Sequence, residues 1–266
     1  MSVRAWKPPV TGVREVLHAR FEDHAYPPHT HDTWTLFIVD EGSIRYDLDR
    51  HEHGAEPSTV GLLPPSVVHD GRVGRTGGYR KRVIYLEPDV LGDSLIGRAV
   101  DRPAILDPGL RSRVSAVHDA LGCVDDAFEA ETRLAFVIER IRRAYGSIDR
   151  AAPVRAGDLA DALRAYLDRR ATETVTMAEA SAAVQASPTQ LARAFVAAFG
   201  ITPHQYLLGR RLDLARDRIL DGQPLAAVAA EVGFFDQAHL TRRFKRFLGV
   251  TPGRFATDPT GANQQG

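Results

Sequence analysis

The sequence predicts a two-domain protein: an α+β amino-terminal domain made of an antiparallel β-barrel and following helices, then an all-α domain carrying a helix-turn-helix twice. Three observations carry that prediction. The chain has 266 residues, enough for two compact domains. Its texture changes after Pro88, from short apolar or alternating runs cut by Gly, Pro and Asp to long stretches of helical spacing. Near the end, "EVGFFDQAHLTRRFKRFLGVTPGRF" (231–255) echoes the upstream "SPTQLARAFVAAFGITPHQY" (187–206) at a constant offset of 49 residues.

Taken in order, residues 1–12 read as a loose arm, because Pro8, Pro9 and Gly12 block regular structure. Residues 13–90 read as the barrel. "TWTLFIVDEG", "SIRYDLDR", "STVGLLPPS" and "KRVIYLEP" are short strand-like runs with turn signals between them. In "SIRYDL", Ile44, Tyr46 and Leu48 share one face at period two. Residues 91–146 read as a helical connector or dimerisation region, with helices over 108–121 and 126–146. Leu134, Ile138, Ile141 and Tyr145 form one stripe of the second helix, which is either intradomain core or the seam of a homodimer, with Arg140, Arg142 and Arg143 outside it. The small, polar "SIDRAAPVRAG" (147–157) reads as a linker, 158–256 as the helical domain, and 257–266 as a disordered tail.

Charge is balanced overall, yet unevenly placed. Residues 1–150 hold 20 basic and 23 acidic side chains, whereas residues 187–254 hold 10 and 5. A basic carboxyl-terminal part suggests that this end alone meets a polyanion. The single Cys123 excludes an intrachain disulfide and a multi-cysteine zinc site. No apolar run reaches the ~20 residues of a membrane span, and "MSVRAWKPPVTG" lacks the apolar core of a secretory signal, so a cytoplasmic protein without membrane partners is expected.

The repeat matches Leu191 with Leu240, Arg193 with Arg242, Phe195 with Phe244, Gly200 with Gly249, Thr202 and Pro203 with Thr251 and Pro252, and Tyr206 with Phe255. Ser187 followed by Pro188, and Thr202 followed by Pro203, are helix-start signals; Gly200 is a stop, and Asp236 is the expected cap in the second copy. On a helical wheel, Phe244 and Phe247 fall within about 40° of Leu240 and Leu248 within about 80°, which predicts that all four bury. Ala238, His239, Thr241, Arg242, Lys245 and Arg246 occupy the opposite arc, with Thr189, Gln190 and Arg193 at corresponding places in the first copy. Such a face is either any solvated helix surface or one that enters a major groove, where Arg reads guanine, Gln reads adenine, and Ala or Thr meets the thymine methyl. Helix 203–220, roughly 27 Å long, is long enough to set two reading helices near the ~34 Å spacing of successive grooves. Lys245 and Arg246 are expected on phosphates, with Arg210 and Arg211 as further candidates, although Asp213, Asp217 and Asp221 interleave that helix.

The two copies together resemble the DNA-binding domain of the AraC/XylS family of bacterial transcription regulators, over about residues 157–256. The resemblance implies base contacts from Thr189, Gln190 and Arg193 in the first unit, and from Gln237, Ala238, His239, Thr241 and Arg242 in the second. Phe235 departs from the small polar residue usual at its place. "PPHTHDTW" (27–34) and "GLLPPSVVHDG" (61–71), with the strand pattern, resemble the cupin-like sensory barrel of many such regulators. In metal-binding cupins, two His of a His-x-His pair, a Glu and a third His hold a metal. Here His29, His31 and His69 match, but Thr35 and Leu36 stand where Glu is expected. Neutral imidazoles suit Zn, Fe, Ni or Cu; the same residues also suit an effector pocket, with Trp34 as a wall, or plain surface. His51 and His53 read as solvated.

The combined expectation is a non-enzymatic, sequence-specific regulator binding double-stranded DNA and a small-molecule effector. It is expected to be homodimeric, to meet RNA polymerase if it activates, and to need no cofactor. The alternatives are a metal-dependent cupin enzyme with a partner-binding helical tail, and a DNA-binding metal sensor.

Overall fold

A computed structural model describes residues 2–74, 77–123, 126–146, 156–248 and 250–255. Positions 147–155 of the expected linker and the whole expected tail lie outside the described residues, while Ala156 and Gly157 already belong to a helix. The chain divides into two compact units, Met1–Ala152 and Pro153–Gly266.

The first unit contains β1 (Ser2–Trp6), β2 (Val13–Phe21), β3 (Tyr26–His29), β4 (Trp34–Gly42), β5 (Ile44–Leu48), β6 (His51–Ala55), β7 (Val60–Leu63), β8 (His69–Val73), β9 (Tyr79–Leu86) and β10 (Ala104–Ile105). They form an antiparallel six-stranded sheet, ordered β1-β2-β9-β4-β7-β10, and a four-stranded one, ordered β3-β8-β5-β6. Two expectations are corrected here. The supposed loose arm supplies β1, paired with β2 from Ser2↔Arg20 to Trp6↔Val16, since the blocking prolines begin only at Pro8. The sheet also continues past residue 90, because β10 pairs with β7.

Helices α1 (Pro88–Leu91), α2 (Ile96–Asp101), α3 (Pro108–Leu121) and α4 (Ala127–Ala144) follow. They cover the outer face of the larger sheet. Leu134, Ile141 and Tyr145 are buried there with Trp34, Leu36, Ile38, Ile84 and Val114, and Ile138 packs against that cluster. The α4 stripe is therefore intradomain core, not a dimer seam. A second core fills the space between the sheets, where Ile44, Tyr46 and Leu48 share one face with Phe37, Val39, Tyr79 and Val83.

The second unit is helical: α5 (Ala156–Arg169), α6 (Met177–Val184), α7 (Pro188–Phe199), α8 (Pro203–Leu220), α9 (Leu225–Glu231), α10 (Gln237–Leu248) and α11 (Pro252–Phe255). Capping explains the starts. Ser187 and Thr202 each accept the amide of the residue three further on, and Gln190 and Gln205 reciprocate onto the cap amides. Asp236 accepts the His239 amide at 2.6 Å. The duplication extends to packing: Phe195–Tyr206 and Phe244–Phe255 meet edge to face, with centroids 5.4 and 5.3 Å apart. The turns differ, since Gln185 takes the left-handed conformation in the first (φ +56°) and Gly233 in the second (φ +86°). Leu240 and Phe244 are buried and Leu248 packs on their cluster, as expected, but Phe247 is 61% exposed. The wheel fixes its angle, not how far its neighbours extend along the helix.

In the first unit, fully buried His118 of α3 faces His18 of β2, with His118 Nδ1 3.2 Å from His18 Nε2. Trp6 packs edge-on against His18, and its indole N–H donates to the Leu121 carbonyl. Burial, with the Arg82 charge nearby, holds His118 well below the ordinary histidine value of 6.5, and burial also lowers His18. A histidine kept neutral only when folded favours the folded state above its unfolded value and opposes it as pH falls below ~6.5. Urea denaturation is expected to show stability falling between pH 7 and 5, with a shallower slope in His118→Gln. An unchanged slope would place the acid sensitivity elsewhere.

Candidate effector pocket and nucleic-acid interface

Strand alternation builds the pocket. In β4, Thr35 and Phe37 point between the sheets, whereas Trp34, Leu36 and Ile38 point toward the helices. In β9, Tyr79, Lys81, Val83 and Tyr85 take the inner side. From the smaller sheet and the segment after β3 come Tyr26, His29, His31, Tyr46 and His69. These groups line a cavity of about 60 Å³. His29, His31 and His69 are brought together as expected: the rings lie 4.5 Å (His29–His69), 4.7 Å (His31–His69) and 6.0 Å (His29–His31) apart. Trp34 is not with them. It is fully buried on the opposite face, one residue out of phase with the pocket. Sequence reasoning missed Lys81 and the tyrosines, although alternation in "YRKRVIYL" could have found them.

Burial sets the electrostatics of the pocket. It pushes the Lys81 ammonium down to about 8, with Nζ lying 4.4 Å from the Tyr26 ring centroid. It pushes His69 down to about 4 and lowers His31, and it raises the Tyr85 hydroxyl to about 12. Outside the pocket, His51 is exposed as expected, but His53 is half-buried and stacks on Tyr46.

In the helical unit, Arg193 and Arg242 occupy the same register and are exposed, as are Gln237 and Ala238; Thr189 is half-buried. Thr241 turns its hydroxyl back onto the Gln237 carbonyl at 2.8 Å. Two expected base-contact residues point inward instead. The Gln190 amide oxygen accepts the Ser187 amide at 2.9 Å, so its side chain serves the cap. His239, its repeat mate, is 7% exposed, lies edge-on to Phe234, and accepts from Arg243 Nε at 3.3 Å. Both are third residues of their helices; the Gln190 side chain folds back over its cap, while the His239 ring packs on Phe234.

The phosphate candidates also divide. Lys245 and Arg246 are exposed, with no acidic partner among the described residues. Arg210 pairs with Asp168 at 3.2 Å and lies 4.0 Å from Asp213. Arg211 is taken out of the set. Its guanidinium donates to the Ala171 and Glu173 carbonyls, and burial lowers it to about 10. A Cβ on Gly233 would stand 3.0 Å from that guanidinium and 2.8 Å from the Thr172 carbonyl, so Arg211 ties the α5–α6 loop against the second turn.

A double-sheet domain with an internal cavity, followed by a domain that uses one helix-turn-helix twice, defines a class of two-domain regulators. Two family descriptions match the chain: an AraC-like ligand binding domain over residues 11–137, and a helix-turn-helix domain over residues 180–258. The chain belongs to the AraC family of transcriptional regulators. It is similar to the probable transcriptional regulator LumQ of Photobacterium leiognathi, 36% identical over 91 residues, which are 34% of this chain and 37% of LumQ. It thus matches about a third of the length of that relative. The HTH-type transcriptional regulator YbfI of Bacillus subtilis is 24% identical over 225 residues, 81% of each chain. Among solved structures, an apo point variant of ToxT from Vibrio cholerae is similar at 14% identity and a TM-score of 0.39, covering 94% of this chain and 98% of that one. Among the described residues, no helix is long and apolar enough to cross a membrane.

The Arg211 contacts generate a prediction. Arg211→Ala strands two carbonyls and is expected to cost ~1–3 kcal/mol of stability, while the salt dependence of DNA binding stays as in the parent. A stable variant with a flattened salt dependence would return Arg211 to the phosphate contacts.

Proposed function

We propose that this chain is a sequence-specific DNA-binding transcription regulator of the cytoplasm whose amino-terminal pocket binds a small-molecule effector. The observation that carries the reading is the matched pair Arg193 and Arg242, held exposed at one register by two copies of the same capped helix. Each reader then presents a small face. Thr189 and Arg193 form the first; Gln237, Ala238, Thr241 and Arg242 form the second, with Lys245 and Arg246 on the flanking phosphates. The pocket is lined by His29, His31, His69, Lys81 and tyrosines. An effector regulates only if it binds two states of the protein with different affinity.

A homodimer suits this reading, because two linked readers multiply affinity through effective concentration. RNA polymerase is the further partner if the chain activates. Binding, not turnover, is the reading taken for the pocket, whose lining is chiefly imidazole and phenol rings with Lys81 and the Thr35 hydroxyl. Footprinting with and without candidate effectors tests it. Sequence-selective protection whose extent or promoter output changes with an effector is expected, and protection indifferent to sequence would end the proposal.

The two arginines at the second reader separate its roles. Arg242→Ala is expected to cost ~1–3 kcal/mol on the cognate site and to relax preference at one base pair. Arg246→Ala is expected to weaken cognate and random DNA alike and to lower the slope of affinity against salt by about one ion. Equal behaviour of the two variants on both DNAs would reverse the facing assignment.

A further inference from the structure

We propose that the amino-terminal pocket takes a short monocarboxylate, its carboxylate held by the Lys81 ammonium and the Tyr79 hydroxyl. This assignment rests on the effector-pocket reading and adds the chemical class of the ligand. On the described lining, Lys81 is the one lysine or arginine and Asp70 the one carboxylate. Asp70 is already engaged, accepting the Asp47 amide at 2.7 Å and pairing with Arg72 at 3.3 Å. Lys81 has no ion pair or hydrogen bond among the described residues. Its neighbours are ring faces, with Nζ 4.4 Å from the Tyr26 centroid and 5.9 Å from that of Tyr79.

Burial leaves most of this charge in place. It lowers Lys81 to about 8, so about nine in ten of these amines remain ammonium at pH 7. An ammonium carries three N–H donors, and ring faces do not satisfy them as a carboxylate does. Tyr79 is 3% exposed, and its hydroxyl has no hydrogen-bond partner among the described residues. Burial raises that hydroxyl above its ordinary 10, so it stays protonated and able to donate. A buried donor left unmade costs stability; one carboxylate accepting from both groups relieves the pair. Burial also disfavours charge on His31 and His69, which leaves Lys81 to supply it.

Strand geometry and volume narrow the ligand. Tyr79 and Lys81 are successive inner-face residues of β9, so both donors serve the same part of the cavity. Phe37, Leu63 and Val83 line it as well and suit an alkyl group. At ~10–15 Å³ of such volume per water, the cavity of about 60 Å³ holds about four to six waters, or a ligand with that many non-hydrogen atoms. An anionic head on a few apolar carbons, at that size, is a short monocarboxylate.

The test uses no DNA. Full-length protein is titrated calorimetrically, at constant ionic strength, with sodium propanoate, with the uncharged propanamide, and with nitrate as a planar anion lacking the alkyl group. Saturable one-to-one binding of propanoate is expected, with propanamide and nitrate each ~10-fold weaker or more, as for loss of a hydrogen bond to a charged group. Lys81→Met should weaken propanoate by ~10-fold or more and bring it level with propanamide. Tyr79→Phe should weaken it about fivefold without lowering the melting temperature, because the hydroxyl it removes has no protein partner. Propanamide or nitrate binding as tightly as propanoate, unchanged propanoate affinity in Lys81→Met, or no saturable binding would overturn the assignment. Tight binding of the amide would do so while leaving the effector-pocket reading intact.

Discussion

The amino-terminal unit depends on one constraint: its larger sheet is covered on both faces. A sheet with one wet face reads as alternating polar and apolar residues; one buried on both sides must be apolar throughout. Strand β4, "WTLFIV", obeys the second rule, with Trp34, Leu36 and Ile38 under the helices and Phe37 and Val39 between the sheets. Close packing on both sides leaves freedom where the inner face turns polar, at Thr35, Lys81 and the histidines. The pocket is the part of the inner layer that apolar side chains do not fill.

The helical unit is governed by its caps. A capping box commits the third residue of the helix to its own amino terminus, so a reader helix cannot also offer that side chain to a base. Gln190 is held this way in the first copy, whereas His239 at the matching place in the second is buried edge-on to Phe234 and accepts from Arg243. The proposed faces keep the second residue and the sixth of each helix, with Gln237 and Thr241 added in the second copy, and the apolar positions between them fix the rotation. The Phe195–Tyr206 and Phe244–Phe255 contacts hold each reader against its following helix in the same pose.

Much of this was legible in the sequence, because periodicity and caps are local. The carboxyl-terminal helices, the Ser187, Thr202 and Asp236 caps, the inward face of β5 and the grouping of three distant histidines all follow from spacing or from family resemblance. The failures share a cause, in that each depends on a partner far away in the chain. Trp34 sits beside the histidines in sequence, yet alternation sends it to the other side of the sheet. Arg211 looks like surface charge until the carbonyls of Ala171 and Glu173, forty and thirty-eight residues earlier, are found beside it. The α4 stripe is apolar in either reading, and only the sheet beneath it decides between core and interface.

Charge placement on the helical unit bears on the proposed reading. Along α8, Arg210, Arg216 and Arg218 lie beside Asp168, Asp213 and Glu231, and Arg211 is spent on carbonyls. Exposed pairs of this kind contribute little stability, about 0–1 kcal/mol each, so they do not forbid phosphate contacts. Their carboxylates nevertheless repel a phosphate backbone and reduce the net field along the helix that joins the readers. Lys245 and Arg246, without acidic partners among the described residues, sit on α10 itself, as Arg169 and Arg254 do on α5 and α11. A protein that held DNA mainly by its backbone would spread positive charge along α8. Here two such charges, Lys245 and Arg246, stand on α10 about one turn from Arg242, so on the proposed reading a phosphate contact would sit beside a base contact.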